Sequence, residues 1–404
     1  MSNSADTRKN DNSGGAFLVP TGEIKVPVLM NTRVILGLYI VLCSIGLFNL
    51  YSATVGGPQF FSQLKNAGLG IFLFFIFGWL ISPRILNQYS YWLYALVCIL
   101  LAVVLVFGDI RGGSQRWIEI GGFSGQPSEL AKLVSAIITA RFFFTNRSVH
   151  PYRLRDLWPV AAMIGLIFGL IFPQPDLGTA GVCILIAAGQ LAFVRIDRRS
   201  LSYVIAAGIA VVTAAWTFVL HDYQKLRILN LLNPELDPTG SGYHALQSLV
   251  AIGSGKLFGK GFLQGTQTQL QFLPERHTDF IFSVFAEEHG FAGAALVFAL
   301  FLGLTYVGLL VARQAKDTFS GLLAVGLSAF IFVEFFINMA MILGLFPVVG
   351  IPLPLFSFGG SALLSVSTGL GMLVAIDREN FGRFRKTRGF TRRGREGTPA
   401  SSQN

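Results

Sequence analysis

Hydrophobic residues in this chain fall into long runs that are separated by shorter polar segments. A run of about 17–25 apolar residues can cross a lipid bilayer as a helix. We therefore predict an all-α polytopic membrane protein with about ten transmembrane helices and a large extracytoplasmic loop, 221–279, between helices 7 and 8. The predicted spans are 34–53, 67–82, 90–108, 127–144, 158–172, 177–194, 201–220, 280–312, 320–345 and 358–376.

The composition agrees with lipid as the solvent. Hydrophobic residues make up 52% of the 404 residues and charged residues 13%, whereas soluble domains carry about 25% charged residues. The three cysteines, Cys43, Cys98 and Cys183, each lie in an apolar run, so their pattern indicates neither a disulfide framework nor a metal site. The polar first 32 residues lack a small-residue cleavage pattern, and we expect no removable signal peptide.

The distribution of positive charge predicts the orientation. Most of the 31 Lys and Arg residues lie in the two tails and in the loops after even-numbered spans, which places that side and both termini in the cytoplasm. We expect residues 1–32 and 378–404 to be disordered cytoplasmic tails around a membrane domain at 33–377. The basic second tail is explained by topology and anionic lipid headgroups, so we predict no nucleic-acid binding.

The unusual polar sequences lie on the opposite, outward-facing side, at 109–129, 173–179, 221–279 and 345–361. Any chemistry is therefore expected to face outward. This placement excludes ATP as a direct cosubstrate, and the sequence contains no Walker motif.

The first polar cluster is "GGSQRWIEIGGFSGQPSELAKL", residues 112–133. Pro127 suits the first turn of a helix, which puts Glu129 and Lys132 three residues apart on one helix face. They either form a simple intrahelical pair or line a polar cavity. Arg116 and Trp117 are either an interfacial anchor or part of a site.

The next two clusters each place an aspartate at the start of a span. Asp176, in "PQPDLGTAG", is either a helix cap or a carboxylate at the mouth of a cavity. Asp279, in "FLPERHTDF", lies beside Arg276 and His277 and is likewise either a cap or a functional group.

The span that follows Asp279 contains Glu287, Glu288 and His289. An unpaired charge in mid-membrane costs about 2.5 kcal/mol or more on insertion scales. We therefore expect at least one of the two glutamates to face a polar interior or to be protonated. His289 is expected to pack or to form a hydrogen bond rather than bind a metal.

The fourth cluster is "PVVGIPLPLFSFGGSALL", residues 347–364, whose prolines and glycines prevent a regular helix. Irregular backbone at membrane depth must be covered by protein or water. The stretch is either a broken segment that lines a cavity, with Ser357 and Ser361 as hydroxyl donors, or an ordinary outer loop.

These four motifs, in this order, resemble the SEDS (shape, elongation, division, sporulation) family of bacterial cell-wall proteins, and most closely its elongation branch. The resemblance runs from about residue 34 to residue 377. It implies a peptidoglycan glycosyltransferase that polymerises lipid II at the outer face of the inner membrane during cell elongation. It also implies a class B penicillin-binding protein and other elongation-complex proteins as partners.

The resemblance carries an essential aspartate onto Asp279 and supporting polar roles onto Glu129, Lys132 and Asp176. In the implied reaction, a carboxylate takes the proton of an attacking sugar hydroxyl, which makes Asp279 the candidate general base. The departing diphosphate needs positive charge from Lys132, Arg116 or Arg276, or from a divalent cation such as Mg²⁺. Glu129, Asp176 and Asp279 are the candidate ligands for such an ion.

Two other function classes are also compatible with the sequence. A lipid II flippase would also place charges and broken helices in the membrane, although the polar groups here gather at the outer ends of the spans. A non-catalytic scaffold of the elongation complex would tolerate Asp279→Asn.

Overall fold

The structure is a computed structural model that describes residues 29–111, 114–120, 123–219, 222–232, 241–269 and 275–393. Most of the two predicted tails, 1–28 and 394–404, lies outside the described residues. So do the glycine pairs at 112–113 and 121–122, the loop residues 233–240, and residues 270–274, which include the first letters of "FLPERHTDF".

Helices dominate the described part of the chain. They are α1 (Leu29–Thr54), α2 (Pro58–Phe75), α3 (Pro83–Phe107), α4 (Pro127–Thr145), α5 (Leu154–Ile171), α6 (Leu177–Leu191), α7 (Arg198–Ala214), α8 (Asp222–Leu232), α9 (Ser241–Ser254), α10 (Thr266–Gln269), α11 (Ile281–Gln314), α12 (Thr318–Ile342) and α13 (Gly360–Arg393). Short π-helical turns, Ile76–Leu80 and Ala215–Val219, follow α2 and α7.

The all-α membrane fold is confirmed, because each of the ten predicted runs coincides with a helix. By length and composition, seven of the described helices can cross a membrane, and α4, α6 and α7 are not among them. The count of ten spans therefore stays a prediction. The last helix continues to Arg393, beyond the predicted end of its span at 376.

The centre of the bundle is α12, which packs against α4, α6, α11 and α13. Its side chains are buried on nearly every face. By contrast, α3 carries exposed large apolar side chains such as Trp92 and Phe107. Such side chains suit contact with lipid, since the outside of a membrane bundle need not be polar. Polar groups on α12 are consequently deep inside the protein.

A small antiparallel sheet between α3 and α4 was not predicted from the sequence. Its strands, β1 (Asp109–Arg111), β2 (Ser114–Ile120) and β3 (Phe123–Gly125), are arranged in the order β1-β2-β3. Trp117 pairs with Asp109, and Glu119 pairs with Ser124.

Helix α11 is interrupted at Gly290, whose backbone has φ 67° and ψ −166°. The loop that follows α9 fills the break. The N–H groups of Phe291 and Ala292 donate to the carbonyls of Lys256 and Leu257 in this loop, at 2.9 and 3.0 Å. These backbone angles are essentially restricted to glycine. The break therefore depends on this residue.

We predict that Gly290→Ala destabilises the protein by about 1–3 kcal/mol, because alanine is strained in this conformation. Its Cβ would also lie 2.7 Å from the carbonyl oxygen of Leu257. Thermal unfolding of the purified protein measures the effect. The control is Gly303→Ala in the same helix, where the nearest atom to a new Cβ is 3.9 Å away. The control should be neutral or slightly stabilising, and equal melting temperatures for the two variants would contradict the prediction.

Candidate active site

The sheet positions Arg116 over the start of α6. Its guanidinium donates to the carbonyl of Pro175 at 2.9 Å and lies 3.5 Å from a carboxylate oxygen of Asp176. Arg116 therefore belongs to a polar cluster rather than serving as an isolated interfacial anchor.

Asp176 is a helix cap, as one of its two interpretations predicted, and it also links two helices. One carboxylate oxygen accepts from the N–H of Thr179 at 3.4 Å, which caps α6. The other accepts from Gln126 at 3.1 Å and from the Ser128 hydroxyl at 3.2 Å, at the start of α4. The side chain is buried. Several donors and Arg116 thus hold this carboxylate in place.

Ser361 joins the same region to α13. Its hydroxyl oxygen accepts a hydrogen bond from the backbone N–H of Gln126 at 3.1 Å. The residue therefore acts here as an acceptor that connects the beginnings of α4 and α13, whereas the sequence suggested a donor toward a cavity.

Glu129 and Lys132 form an ion pair, one of the two alternatives that the sequence left open, with 2.7 Å between the ammonium nitrogen and Glu129 Oε2. A second acid that was not predicted from the sequence, Glu334 of α12, also accepts from Lys132. The Ser365 hydroxyl of α13 donates to Glu129 at 2.9 Å. Since Lys132 is 1% exposed, this buried cluster holds three helices together and does not present Lys132 to a diphosphate.

Asp279 does not cap α11, so the cap interpretation of this residue is wrong. Phe280 occupies the N-cap position, and no side chain caps the helix there. Asp279 instead lies in the turn that precedes the helix and is half-buried. Its carboxylate makes no hydrogen bond to any described residue, which distinguishes it from Asp176, Glu129 and Glu334.

The surroundings of Asp279 raise its pKa to about 6, mainly because burial disfavours the charged form and also because Glu275 is close. The positive charges of Arg227 and Arg116 oppose this change and lower the pKa. Arg227, on α8, was not selected from the sequence as a site residue. The positive charges of Arg116 and Arg227 thus both act on the Asp279 carboxylate.

The broken segment between α12 and α13 holds the two backbone carbonyls that immediately precede Asp279. The N–H of Phe358 donates to the carbonyl of His277 at 2.8 Å, and the Ser357 hydroxyl donates to that of Thr278 at 2.7 Å. The irregular backbone predicted for this segment is thus confirmed, and it supports the turn directly. Arg276 lies half-buried in the same turn.

Glu287 and Glu288 face polar groups, as predicted. Glu287 accepts from Lys260 at 2.7 Å and from the N–H of Gln267 at 3.0 Å. Glu288 accepts from the Ser52 hydroxyl and from the N–H of Leu263. The ring of His289 stacks on Phe285 at 4.4 Å, as expected for a packed histidine. Glu287 and Glu288 thus hold the loop that contains Lys260 and Leu263 against α11. They form a cluster that is separate from the one around Asp279.

The candidate metal ligands do not form a metal site. Among the described residues, no group of three or more His, Cys, Asp and Glu side chains is placed to hold an ion. Glu129 is already paired with Lys132, and Asp176 is occupied by Arg116 and its hydrogen-bond donors. A requirement for Mg²⁺ stays an untested prediction.

A cavity of about 210 Å³ lies between α8, α9 and the segment after α12. Arg227 and Val348 line it, and the Arg227 guanidinium donates to the Val348 carbonyl at 3.1 Å. Leu246, Leu249 and Phe346 contribute apolar walls. The cavity is therefore mainly apolar, with an arginine at its edge.

The sequence matches the FtsW, RodA and SpoVE family, described as cell cycle protein, over residues 25–381. This chain belongs to that family. The resemblance to the SEDS proteins is thereby confirmed.

Several members of the family are close relatives. Peptidoglycan glycosyltransferase MrdB of Escherichia coli (strain K12) is 44% identical over 296 residues, which cover 73% of this chain and 80% of the relative. Stage V sporulation protein E of Bacillus subtilis (strain 168) is 36% identical over 360 residues, 84% of this chain and 94% of the relative.

Two solved structures share the fold. One is a chain of a peptidoglycan synthase complex that coordinates polymerization and crosslinking, with TM-score 0.74, 31% identity, and coverage of 86% of this chain and 97% of that chain. The other is the rod shape determining protein RodA of Thermus thermophilus, with TM-score 0.65, 28% identity, and coverage of 86% and 96%.

The buried cluster of Lys132, Glu129 and Glu334 generates a stability prediction. We expect Lys132→Met to destabilise the protein by about 3–5 kcal/mol, because it leaves two buried carboxylates unpaired. Adding Glu334→Gln should recover part of that loss. Thermal unfolding of the wild type and of both variants, all purified in one detergent, measures both effects.

The matched control is Arg155→Met, which breaks a surface pair whose arginine side chain is 78% exposed. It should change the free energy of unfolding by about 0.5 kcal/mol or less. An equally small effect of Lys132→Met would show that the buried cluster does not stabilise the helix packing.

Proposed function

We propose that this chain is a peptidoglycan glycosyltransferase that polymerises lipid II at the outer face of the bacterial inner membrane during cell elongation, with Asp279 as general base. Family membership and relatives named peptidoglycan glycosyltransferase support the activity. The observation that carries the residue assignment is the Asp279 carboxylate, which is half-buried and makes no hydrogen bond to the described residues.

In the proposed reaction, the 4-hydroxyl of an acceptor GlcNAc attacks the anomeric carbon of a donor MurNAc. A new C–O bond forms while the bond from that carbon to undecaprenyl diphosphate breaks. The Asp279 carboxylate takes the hydroxyl proton during the attack. Attack opposite the leaving group converts the α-linked donor into a β-linked product, for which a single base suffices.

The leaving diphosphate gathers negative charge, and fixed positive charges stabilise it. Arg116 and Arg227 suit this role, since the charges of both reach Asp279. Lys132 is too deeply buried and too fully paired for direct contact. We therefore assign Lys132, Glu129 and Asp176 to holding the helices and the sheet around the site.

The prenyl chains must remain in a lipid-like environment while the sugars react. The mainly apolar cavity beside Arg227 offers such an environment close to the arginine that would bind the diphosphate. A volume of about 210 Å³ admits only part of a prenyl chain, so the rest would extend into the membrane.

We assign the partner on the same basis. The similarity to a chain of a peptidoglycan synthase complex supports joint action with a crosslinking class B penicillin-binding protein. Its catalytic domain would lie on the outer side, where the new glycan strand emerges. This orientation requires both termini of our chain to be cytoplasmic, as the charge distribution predicts.

The Asp279→Asn variant tests the general-base role. We expect a folded, membrane-inserted protein that polymerises labelled lipid II at least about 100-fold more slowly, because a catalytic base contributes about 10²–10⁴-fold. Gel analysis of glycan strands, with the partner present and with or without Mg²⁺, measures the rate.

Asp317→Asn is the matched control, because Asp317 caps α12 through the N–H of Ser320 and asparagine can do the same. Normal strand synthesis by Asp279→Asn would exclude the base role. A wild-type protein that moves lipid II across vesicles without making polymer would identify a flippase. Full complementation of cells by Asp279→Asn would favour a scaffold.

The raised pKa of Asp279 generates a prediction about pH. Because the base must be ionised, the polymerisation rate should fall about tenfold per pH unit below a pKa of about 6 and level off above it. The folded state favours the protonated acid, so this residue's contribution to stability decreases as pH rises from about 4 to 6. Asp279→Asn should consequently melt no lower than wild type at pH 7.5, and a large loss of stability would contradict this account.

A further inference from the structure

Asn338 of α12 makes two hydrogen bonds that meet at the candidate site. Its side-chain amide donates to the backbone carbonyl of Asp279 at 3.0 Å and to that of Ile351 at 2.8 Å. Asn338 itself is fully buried. One amide therefore connects the central helix, the turn that carries the proposed base, and the broken segment before α13.

The helix that carries Asn338 is fixed one turn away. Glu334 and Asn338 are four residues apart, so they lie on the same face of α12. Glu334 pairs with Lys132 of α4, and that ion pair opposes sliding or rotation of α12 relative to α4. Asn338 thus projects from a rigid part of the bundle, whereas Asp279 and Ile351 belong to irregular backbone.

A general base works only within hydrogen-bond reach of the proton that it removes. The hydrogen bonds from Phe358 and Ser357 fix the carbonyls of His277 and Thr278, and the Asn338 bond acts on the backbone of Asp279 itself. Without a donor, the Asp279 carbonyl would have to turn toward water, because an unpaired buried carbonyl is unfavourable. The carboxylate would move with it.

We propose that Asn338 is a positioning residue, which sets the location of Asp279 relative to the broken segment and the substrate. The proposal rests on the proposed function, since it concerns the base of that reaction. It adds a residue of α12 that does not itself contact the reacting atoms. Glu334 has the supporting role of holding α12 in register with α4.

The test replaces Asn338 by Leu, which has a similar volume and no donor, and separately by Asp, which is near-isosteric and can donate at most one of the two hydrogen bonds, and only when protonated. For each variant, kcat for lipid II polymerisation is measured per mole of folded protein, together with KM and the pH profile. We expect kcat to fall about 100-fold, since an error of about 1 Å in position has this effect. KM should change by less than about threefold, because a variant in which only the base is misplaced still binds its substrate.

The pH profile distinguishes positioning from a contribution to folding alone. Asp279 is influenced by Glu275 in its own turn, by Arg227 of α8 and by Arg116 of β2. If the turn loosens and water reaches the carboxylate, burial no longer raises its pKa, and the acidic limb of the Asn338→Leu profile moves to lower pH. A residue that only stabilised the fold would reduce the amount of folded protein and leave both kcat and the limb unchanged.

Ser328→Ala is the control, because Ser328 is buried in the same helix and donates only to the Ala324 carbonyl of its own helix in the described structure. It should retain kcat within about twofold, as expected for a site away from the chemistry. Wild-type kcat per folded molecule in both Asn338 variants would overturn the proposal. Absence of polymerisation by the wild type would instead reject the proposed function.

Discussion

Burial of carboxylates in an apolar bundle is the constraint on which this structure depends. A charged group away from water is tolerated when partners surround it, and the described acids of the inner bundle follow this rule. Glu129 and Glu334 share Lys132, Asp176 binds Arg116 and several donors, and Glu287 binds Lys260. Asp279 departs from the rule: it is half-buried, and its carboxylate has no hydrogen-bond donor in the described part of the chain.

The fold creates this exception by satisfying the backbone around Asp279 and leaving its side chain available. Helix α11 begins just after the residue, so the turn is not part of a regular helix. The carbonyls of consecutive residues in the turn are held by α12 and by the broken segment that follows it. A carboxylate on a fixed backbone, raised in pKa by its surroundings, has the properties that proton transfer near neutral pH requires.

Much of this arrangement could be predicted from the sequence, because local patterns determine it. Apolar runs predicted ten of the helices but not α8, α9 and α10, which lie in the predicted outer loop. Pro127 predicted the start of α4, and the prolines and glycines of 347–359 predicted irregular backbone. The role of Asp279 could not be separated from capping, since the choice of Phe280 as the N-cap residue depends on tertiary contacts. The pairing of Lys132 with Glu334 joins two helices that are far apart in the sequence, so local patterns could not predict it. A lone glutamate in the apolar run "IFVEFFINMAM" was nevertheless a usable signal.

The strands β1–β3 were missed because short strands are stabilised by pairing with each other rather than by an alternating pattern of their own.

The proposed function requires Asp279 to be a desolvated carboxyl group that is available to a substrate. Infrared difference spectroscopy of the purified protein in lipid, with isotope-labelled aspartate and with Asp279→Asn as the reference, measures its protonation directly. We predict a carboxyl band that titrates at about pH 6, disappears in the variant and shifts when lipid II is added. A band for Asp279 that titrates near pH 4, as for a solvated aspartate, and ignores lipid II would contradict it.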